Sequence, residues 1–287
     1  MVTTQEKTGT VKKAVKKQLV SNAKKIVKKP VVSDVVKKTE KPLVSIVVPA
    51  HNAAEFIDDT IHSVLGQTFE VFELIVVDDA SSDATLEVVG QFSDARIRVI
   101  KCKRNGGAAK ARNRGVLAAR GRYICFLDAD DLWQPDKLER QLKFMKETGA
   151  AFSFTSYVFA DANGRPNGKV VRVPATITYK QALKNTTIWT STVMFDMKKL
   201  SKKDILMPDV KSEDTATWWK VLRKVDCAFG MREVMAIYRR SGKSLSSNKL
   251  VAIKRIWNLY RKCEGLDVLR SSANFMGWAF NAVRRRV

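Results

Sequence analysis

Tyr123–Asp131 reads Tyr-Ile-Cys-Phe-Leu-Asp-Ala-Asp-Asp, an apolar run followed at once by the carboxylates Asp128, Asp130 and Asp131. A short continuous apolar run reads as a buried strand. Carboxylates just past the end of such a strand sit at the carboxyl edge of an open sheet, where α/β proteins bind ligands. Asp128 and Asp130 are one residue apart, so both can face one small volume where the chain begins to turn. Two bare carboxylates there repel each other. A divalent cation, Mg²⁺ or Mn²⁺, that itself grips a diphosphate removes the conflict. D-x-D alone is a weak pattern, and the plainer reading is an acidic strand-to-helix turn with solvated side chains.

What raises the first reading is the chain around it. Leu43–Val48, Phe72–Val77, Arg96–Ile100 and Tyr123–Leu127 read as strands. Glu55–Leu65, Ala84–Gln91, Ala108–Ala119 and a segment from Pro135 to about Lys146 have helical spacing. Ser81–Asp83 is placed to cap the second helix, and Pro135 suits the first turn of the fourth. Strands alternating with helices argue a mostly parallel sheet covered on both faces. Right-handed crossovers put every strand end on one edge. Pro49–Asn52, Asp78-Asp79, Asn105–Gly107 and Asp128–Asp131 therefore converge there.

A nucleoside-diphosphate ligand at such an edge needs a flat partner and an acceptor for its base. It also needs a cation or helix N-termini for its phosphates, and a carboxylate where a proton must leave. His51 can stack on a base, and Asp79 can accept from its imide N–H. Asp78 reads instead as a loop residue that accepts backbone N–H bonds, and His62, in mid-helix, as an ordinary surface histidine. In the less regular second half, Ala151–Phe159, Lys169–Val173 and Thr192–Asp196 are strand candidates, and Ala228–Tyr238 reads as two short strands. Ser212-Glu213-Asp214 precedes a helix over Thr215–Lys224 that carries Trp218 and Trp219. Asp214 can serve as a general base there, with Glu213 as the alternative.

With 287 residues, 45% of them hydrophobic, the chain can build a substantial core. Its net charge of +23 is placed unevenly. Residues 1–41 carry 12 Lys against three acids, and residues 239–287 carry 12 Lys and Arg against two. The body between them is nearly balanced. Basic ends suit an anionic membrane face or nucleic acid. A nucleic-acid module usually carries its basic stripe on the folded body, and here the body has an acidic edge, so no nucleic-acid partner is expected. Val11, Ala14, Val15, Leu19, Ala23, Ile26 and Val27 recur among lysines as in a basic amphipathic helix that stops at Pro30. A disordered, solubilising extension is the plainer reading of the same residues. Leu250–Lys262 and Val268–Val283 are helix candidates rich in aromatic and basic residues. Such a tail fits a membrane interface, or packs back on the body or on a second subunit. The expected organisation is thus an extension over 1–41, a catalytic domain over 42–240 and a helical tail over 241–287. Cys102, Cys125, Cys227 and Cys263 are widely spaced, which suggests no disulfide framework and a reducing, cytoplasmic setting. No stretch reaches the length of a membrane span, and the N-terminus has no apolar signal core.

Five segments carry a resemblance. They are Val44–Asn52, Ser63–Phe69, Phe72–Asp83, Asn105–Gly115 and Phe126–Leu138. Together they resemble the family 2 inverting glycosyltransferases of the GT-A fold, densely over residues 43–146, with Ser212–Asp214 as a later landmark. The resemblance implies an α/β, Rossmann-like fold and a nucleotide-sugar donor, UDP by family habit. It places the nucleotide-binding residues at Pro49, His51, Asp79, Arg112 and Asp128, the metal-binding acid at Asp130, and the catalytic base at Asp214. The metal would be Mn²⁺ or Mg²⁺. The family usually has Tyr where His51 stands, and no histidine follows His62 to join the metal. Arg239, Arg240 or the Ser244–Lys249 loop would then close over the diphosphate. Relatives of this size build surface polysaccharide on saccharide or lipid-linked acceptors at the inner membrane face. Peripheral membrane contact through the basic ends is therefore expected. A polyprenyl-phosphate sugar synthase is the alternative on the same fold. A nucleotidyltransferase fits less well, because Pro49–Asn52 is not a Gly- and basic-rich phosphate loop.

Overall fold

The computed structural model describes residues 41–240 and 249–284. The lysine-rich pattern of residues 1–40 and most of the Ser244–Lys249 loop lie outside them. The first half runs β1 (Val44–Ala50), α1 (Ile57–Leu65), β2 (Phe72–Asp78), α2 (Thr85–Gly90), β3 (Ile97–Lys101), α3 (Ala108–Ala118) and β4 (Tyr123–Phe126). Then follow β5 (Leu132–Trp133), α4 (Lys137–Thr148), β6 (Phe152–Ala160), β7 (Pro166–Val171), β8 (Thr176–Ile177), α5 (Tyr179–Lys184), a 3-10 turn (Thr190–Thr192) and β9 (Met194–Asp196). The chain continues through α6 (Lys202–Ile205), α7 (Glu213–Leu222) and β10 (Ala228–Arg239). It ends in α8 (Lys249–Asn258), a π-turn (Leu259–Cys263) and α9 (Val268–Arg284).

One sheet holds these strands in the order β3-β2-β1-β4-β9-β6-β10-β5, with β7 on β6 and β8 on β10. β1, β2, β3 and β4 are mutually parallel. β9 runs against both β4 and β6, and β10 runs with β6. The direction of the first four strands is therefore kept by β6 and β10. β1 and β2 show why the sequence takes this form. Val47, Ile75, Val77 and Phe126 point to one face and pack with Ala111 and Val116 of α3 and Trp218 and Val221 of α7. Their neighbours Ile46, Val48, Leu74, Val76 and Cys125 point to the other face, against Ile57, Ile61 and Val64 of α1. Strands covered on both faces read as continuous apolar runs, and these do. Gly115 lets α3 lie directly on β1: a Cβ there would fall 2.2 Å from Val47 Cγ1.

Several local expectations change. β10 is one strand rather than two, broken by register shifts between Met231 and Ala236. Helix α7 begins at Glu213, so Asp214 lies in its first turn rather than ahead of it. Pro135 precedes α4 instead of opening it. Asp83 does meet the Thr85 N–H, but it also accepts from the Ala54 N–H and so ties the first loop to the second.

The two C-terminal helices pack on the body. Ile256, Leu259 and Tyr260 are buried, which contributes roughly 1.5–3 kcal/mol for a large apolar side chain. The Tyr260 ring stacks on Trp219 with centroids 5.3 Å apart, and its hydroxyl donates to the Leu183 carbonyl. Trp278 Nε1 donates to Thr186 Oγ1 at 3.2 Å. Among the described residues no helix is long and apolar enough to cross a membrane.

Candidate active site

The four polar clusters meet at the carboxyl edge of the parallel strands. His51 Nδ1–H donates to the Asp79 carbonyl at 3.0 Å, and Asn105 Nδ2 donates to His51 Nε2 at 2.9 Å. That network assigns the neutral Nδ1–H tautomer and holds the exposed imidazole across three loops. Asp79 is buried, and its Oδ2 accepts from the Gly106 and Gly107 N–H groups at 2.9 and 2.7 Å. Its Oδ1 has no hydrogen-bond partner, and Arg114 stands 3.6 Å away. Gly107 adopts φ +85° and ψ 163°, a combination open almost only to glycine. Pro49 lies beside these groups in register with Val77 of β2. Asp78 accepts weakly from the Ser81 N–H at 3.3 Å and orders the loop.

Among the described residues three other than glycine hold positive φ: Asn52, Ala80 and Ser212. The first two stand in the loops after β1 and β2, and Ser212 immediately precedes Glu213-Asp214. A left-handed alanine or serine costs roughly 1–2 kcal/mol, and such strain concentrates at functional sites.

The acids line a cavity of about 610 Å³. Arg112, Asp128, Asp130, Glu213 and Asp214 open into it, together with Trp189. Arg112 is buried and bridges two of the acids, donating to Asp128 Oδ1 at 2.6 Å and to Glu213 Oε1 at 3.0 Å. Burial opposes its charge, but the Asp128 carboxylate more than offsets this and its pKa is raised. Asp130 has no such partner at its carboxylate. Burial and the charge of Asp128 push it up to about 6. Asp214 is raised as well, first by burial and then by Glu213. It accepts from the Thr215 N–H at 2.6 Å and more loosely from Thr190 Oγ1 at 3.4 Å. Glu213 is thus paired with a guanidinium, whereas the Asp214 carboxylate has no such contact and its proton affinity is raised.

Asp131 sits behind the pair, buried, and does not line the cavity. Its Oδ2 accepts from Ser191 Oγ at 2.5 Å and Trp189 Nε1 at 2.9 Å, and its Oδ1 from the Arg239 N–H at 3.3 Å. Ser191 Oγ in turn accepts from the Asp128 N–H at 3.1 Å. Arg239 donates to the Asp130 carbonyl, to Asp59 Oδ2 at 2.8 Å, to the Phe56 carbonyl and to Thr60 Oγ1. Its guanidinium is committed to the protein, so it does not close over a diphosphate as the sequence suggested. It fixes the Asp128–Asp131 turn instead. Arg240 lies over the Phe159 ring at 4.2 Å. Sequence reasoning missed Trp189, Ser191 and the structural role of Arg239, whose partners lie 58 to 183 residues away in the chain.

Comparison with known proteins agrees with this geometry. The profile of glycosyl transferase family 2 matches residues 45–207. A Bacillus subtilis protein named as a teichuronic acid biosynthesis glycosyltransferase, TuaG, is 44% identical over 244 residues, which cover 84% of this chain and 96% of that one. An Escherichia coli protein, UDP-Glc:alpha-D-GlcNAc-diphosphoundecaprenol beta-1,3-glucosyltransferase WfgD, is 39% identical over 74% of this chain and 83% of its own. Among solved structures, S. aureus TarS 1-349 with UDP-GlcNAc superposes with a TM-score of 0.64 at 21% identity, covering 82% of this chain and 71% of that one. The mannosyltransferase PcManGT from Pyrobaculum calidifontis, with GDP-Man and Mn²⁺, reaches 0.63 at 20% identity, covering 94% and 81%. With the edge loops and acids arranged as described, the chain belongs to glycosyl transferase family 2 and is a glycosyltransferase of the GT-A fold.

Proposed function

We propose that this glycosyltransferase moves a sugar from a nucleoside-diphosphate donor, UDP-linked, to a hydroxyl of a lipid-linked saccharide during surface polysaccharide assembly, with inversion at the anomeric carbon. The observation that carries the reading is the pairing of unlike acids in one cavity. No guanidinium among the described residues contacts the Asp130 carboxylate, and Asp214 in the same cavity holds a raised proton affinity. The naming of relatives for teichuronic acid and for a diphosphoundecaprenol acceptor supports the pathway and the acceptor class.

Asp214 accepts the proton of the acceptor hydroxyl. The freed oxygen attacks the anomeric carbon from the face opposite the nucleotide, and the bond to the diphosphate breaks. Arg112 holds Asp128 in place, and the Asp131 network holds the turn that presents Asp130. His51 offers its flat ring to the base, and Asp79 Oδ1, which accepts no hydrogen bond and stands 3.6 Å from Arg114, is the acceptor assigned to the base N–H. Asp130, uncompensated and partly buried, suits a divalent cation. Among the described residues no three His, Cys, Asp or Glu side chains gather to hold a metal. Mn²⁺ or Mg²⁺ held there would supply positive charge to the departing diphosphate.

The test is calorimetric binding of UDP, GDP and dTDP with Mn²⁺, on the wild type and on Asp130→Ala. UDP binding that needs the metal and disappears in the variant is the expected result. A folded wild type that binds none of the three nucleotides would overturn the reading.

A further inference from the structure

Helix α8 turns one face into the cavity: Ala252, Arg255 and Ile256 line it at helical spacing, and Leu259 of the π-turn that follows continues the row. Trp278 of α9 completes that wall. The cavity holds three arginines, and two are neutralised. Arg112 pairs with Asp128 and Glu213, and Arg239 with Asp59. Among the described residues Arg255 has no ion pair, and its Nε–H is inaccessible to solvent and without a hydrogen-bond partner. A buried guanidinium N–H without an acceptor is costly to leave unmade, and its planar fork matches phosphate oxygens. The other residues of this wall are apolar: Ile256 and Leu259 are buried, and Trp278 packs against the same core, while the acids line the cavity elsewhere. A cation set in an apolar wall suits an amphiphilic anion.

The wall belongs to the side of the base. Asp214 is on α7, and Trp219 of the same helix stacks on Tyr260, one residue after Leu259. An acceptor whose hydroxyl meets Asp214 therefore extends along α8. Resting on the proposed function, we infer that Arg255 binds the phosphate of the acceptor's lipid diphosphate, with Ile256, Leu259 and Trp278 against the first part of the lipid chain.

The probe is farnesyl diphosphate, added to the full chain with the donor site saturated by UDP and Mn²⁺, and followed by tryptophan fluorescence. The variants are Arg255→Gln and Arg255→Lys. Wild type is expected to bind farnesyl diphosphate saturably and better than farnesol. Arg255→Gln should weaken that binding by about tenfold or more, which is about 1.4 kcal/mol per decade. Arg255→Lys should fall between the two, and farnesol binding and UDP affinity should stay within about twofold. Equal binding of farnesyl diphosphate by wild type and Arg255→Gln overturns the inference, as does a wild type that prefers farnesol. A matching loss of UDP affinity overturns it too, because Arg255 would then serve the donor. Inorganic diphosphate that competes as well as farnesyl diphosphate would show that the apolar wall takes no part. Failure of UDP to bind wild type refutes the proposed function instead; farnesyl diphosphate alone, without UDP, then decides the role of Arg255.

Discussion

Replacing Asp214 by asparagine removes a base while leaving its surroundings almost intact. The asparagine oxygen can still accept from the Thr215 N–H, now made at 2.6 Å, and its amide nitrogen can donate to Thr190 Oγ1 in place of the bond that Asp214 accepts there. The fold and nucleotide binding should therefore survive. A positioned general base contributes about 10²- to 10⁴-fold, so kcat should fall by that factor, roughly 3–5 kcal/mol of barrier. Glu213→Gln is the matched control. Glu213 donates nothing to the acceptor in this arrangement: its Oε1 is held by Arg112 at 3.0 Å, and Arg112 keeps Asp128 when that bond weakens. Its loss should cost less than about tenfold in kcat, the scale of a partly exposed ion pair. The pH profile separates the two further. Asp214 must be ionised to act, and burial and Glu213 raise its pKa, so activity falls as pH drops through a limb above the ordinary carboxylate range near about 3.9. Glu213→Gln removes the like charge and should move that limb to lower pH. The assay is UDP release with and without a saccharide acceptor across pH, beside calorimetric UDP binding. Asp214→Asn with kcat within about threefold of wild type refutes the assignment. So does a Glu213→Gln variant that loses as much as Asp214→Asn.

Asp131→Ala leaves Ser191 Oγ, Trp189 Nε1 and the Arg239 N–H without their shared acceptor. It should lower stability by about 3 kcal/mol, read from the urea midpoint at unchanged slope; a shift under about 1 kcal/mol would remove Asp131 from its positioning role. Gly107→Ala meets no neighbouring atom, so its effect is backbone strain alone at φ +85°. A loss of about 1–3 kcal/mol in thermal or urea unfolding is expected, with weaker UDP binding as the two N–H bonds to Asp79 loosen. Leu269, Met276 and Phe280 lie on one stripe of α9 and are more than two-thirds exposed, while Phe275 and Trp278 face the body. Changing the three to serine in the full chain should reduce sedimentation with anionic vesicles at unchanged UDP affinity; equal sedimentation would take that stripe out of any membrane contact.

The alternating half of the molecule was legible because its elements are long, regular and joined by short turns. Val44–Ala50 and Phe72–Asp78 are continuous apolar runs that end in polar residues, and the crossover rule then places those ends together. That is why His51, Asp79 and Asn105 prove to be joined by hydrogen bonds. Both tail helices were legible from their spacing, and so was the possibility that they pack on the body. Other elements gave no periodic signal: β5 and β8 are two residues long. Helix α5 was missed, although Thr178 and Gln181 form a reciprocal capping box whose residue spacing is a local signal. The segment around Trp189 and Ser191 was opaque for a deeper reason. Its residues are defined by what they hold, Asp131 and Asp128, and no local pattern encodes a partner 58 or more residues distant.

The same long-range bonds explain how one edge keeps two acids poised differently. The sequence places Asp128, Asp130, Glu213 and Asp214 as two similar acidic pairs, and the fold breaks their symmetry with two arginines. Arg112 reaches one member of each pair, Asp128 and Glu213, and neutralises both. Arg239 binds the backbone carbonyl of Asp130 rather than its carboxylate, so the turn is fixed without discharging the acid. Asp130 and Asp214, whose carboxylates no guanidinium touches, have raised proton affinity, each first through burial. Perturbed acids with different partners fit division of labour at a site: one acid suited to a cation, the other to a proton. Ser212 in its left-handed conformation turns the chain into α7 at the residue before Glu213. Relaxing that turn would move both acids of the second pair together, so the strain and the asymmetry are parts of one arrangement.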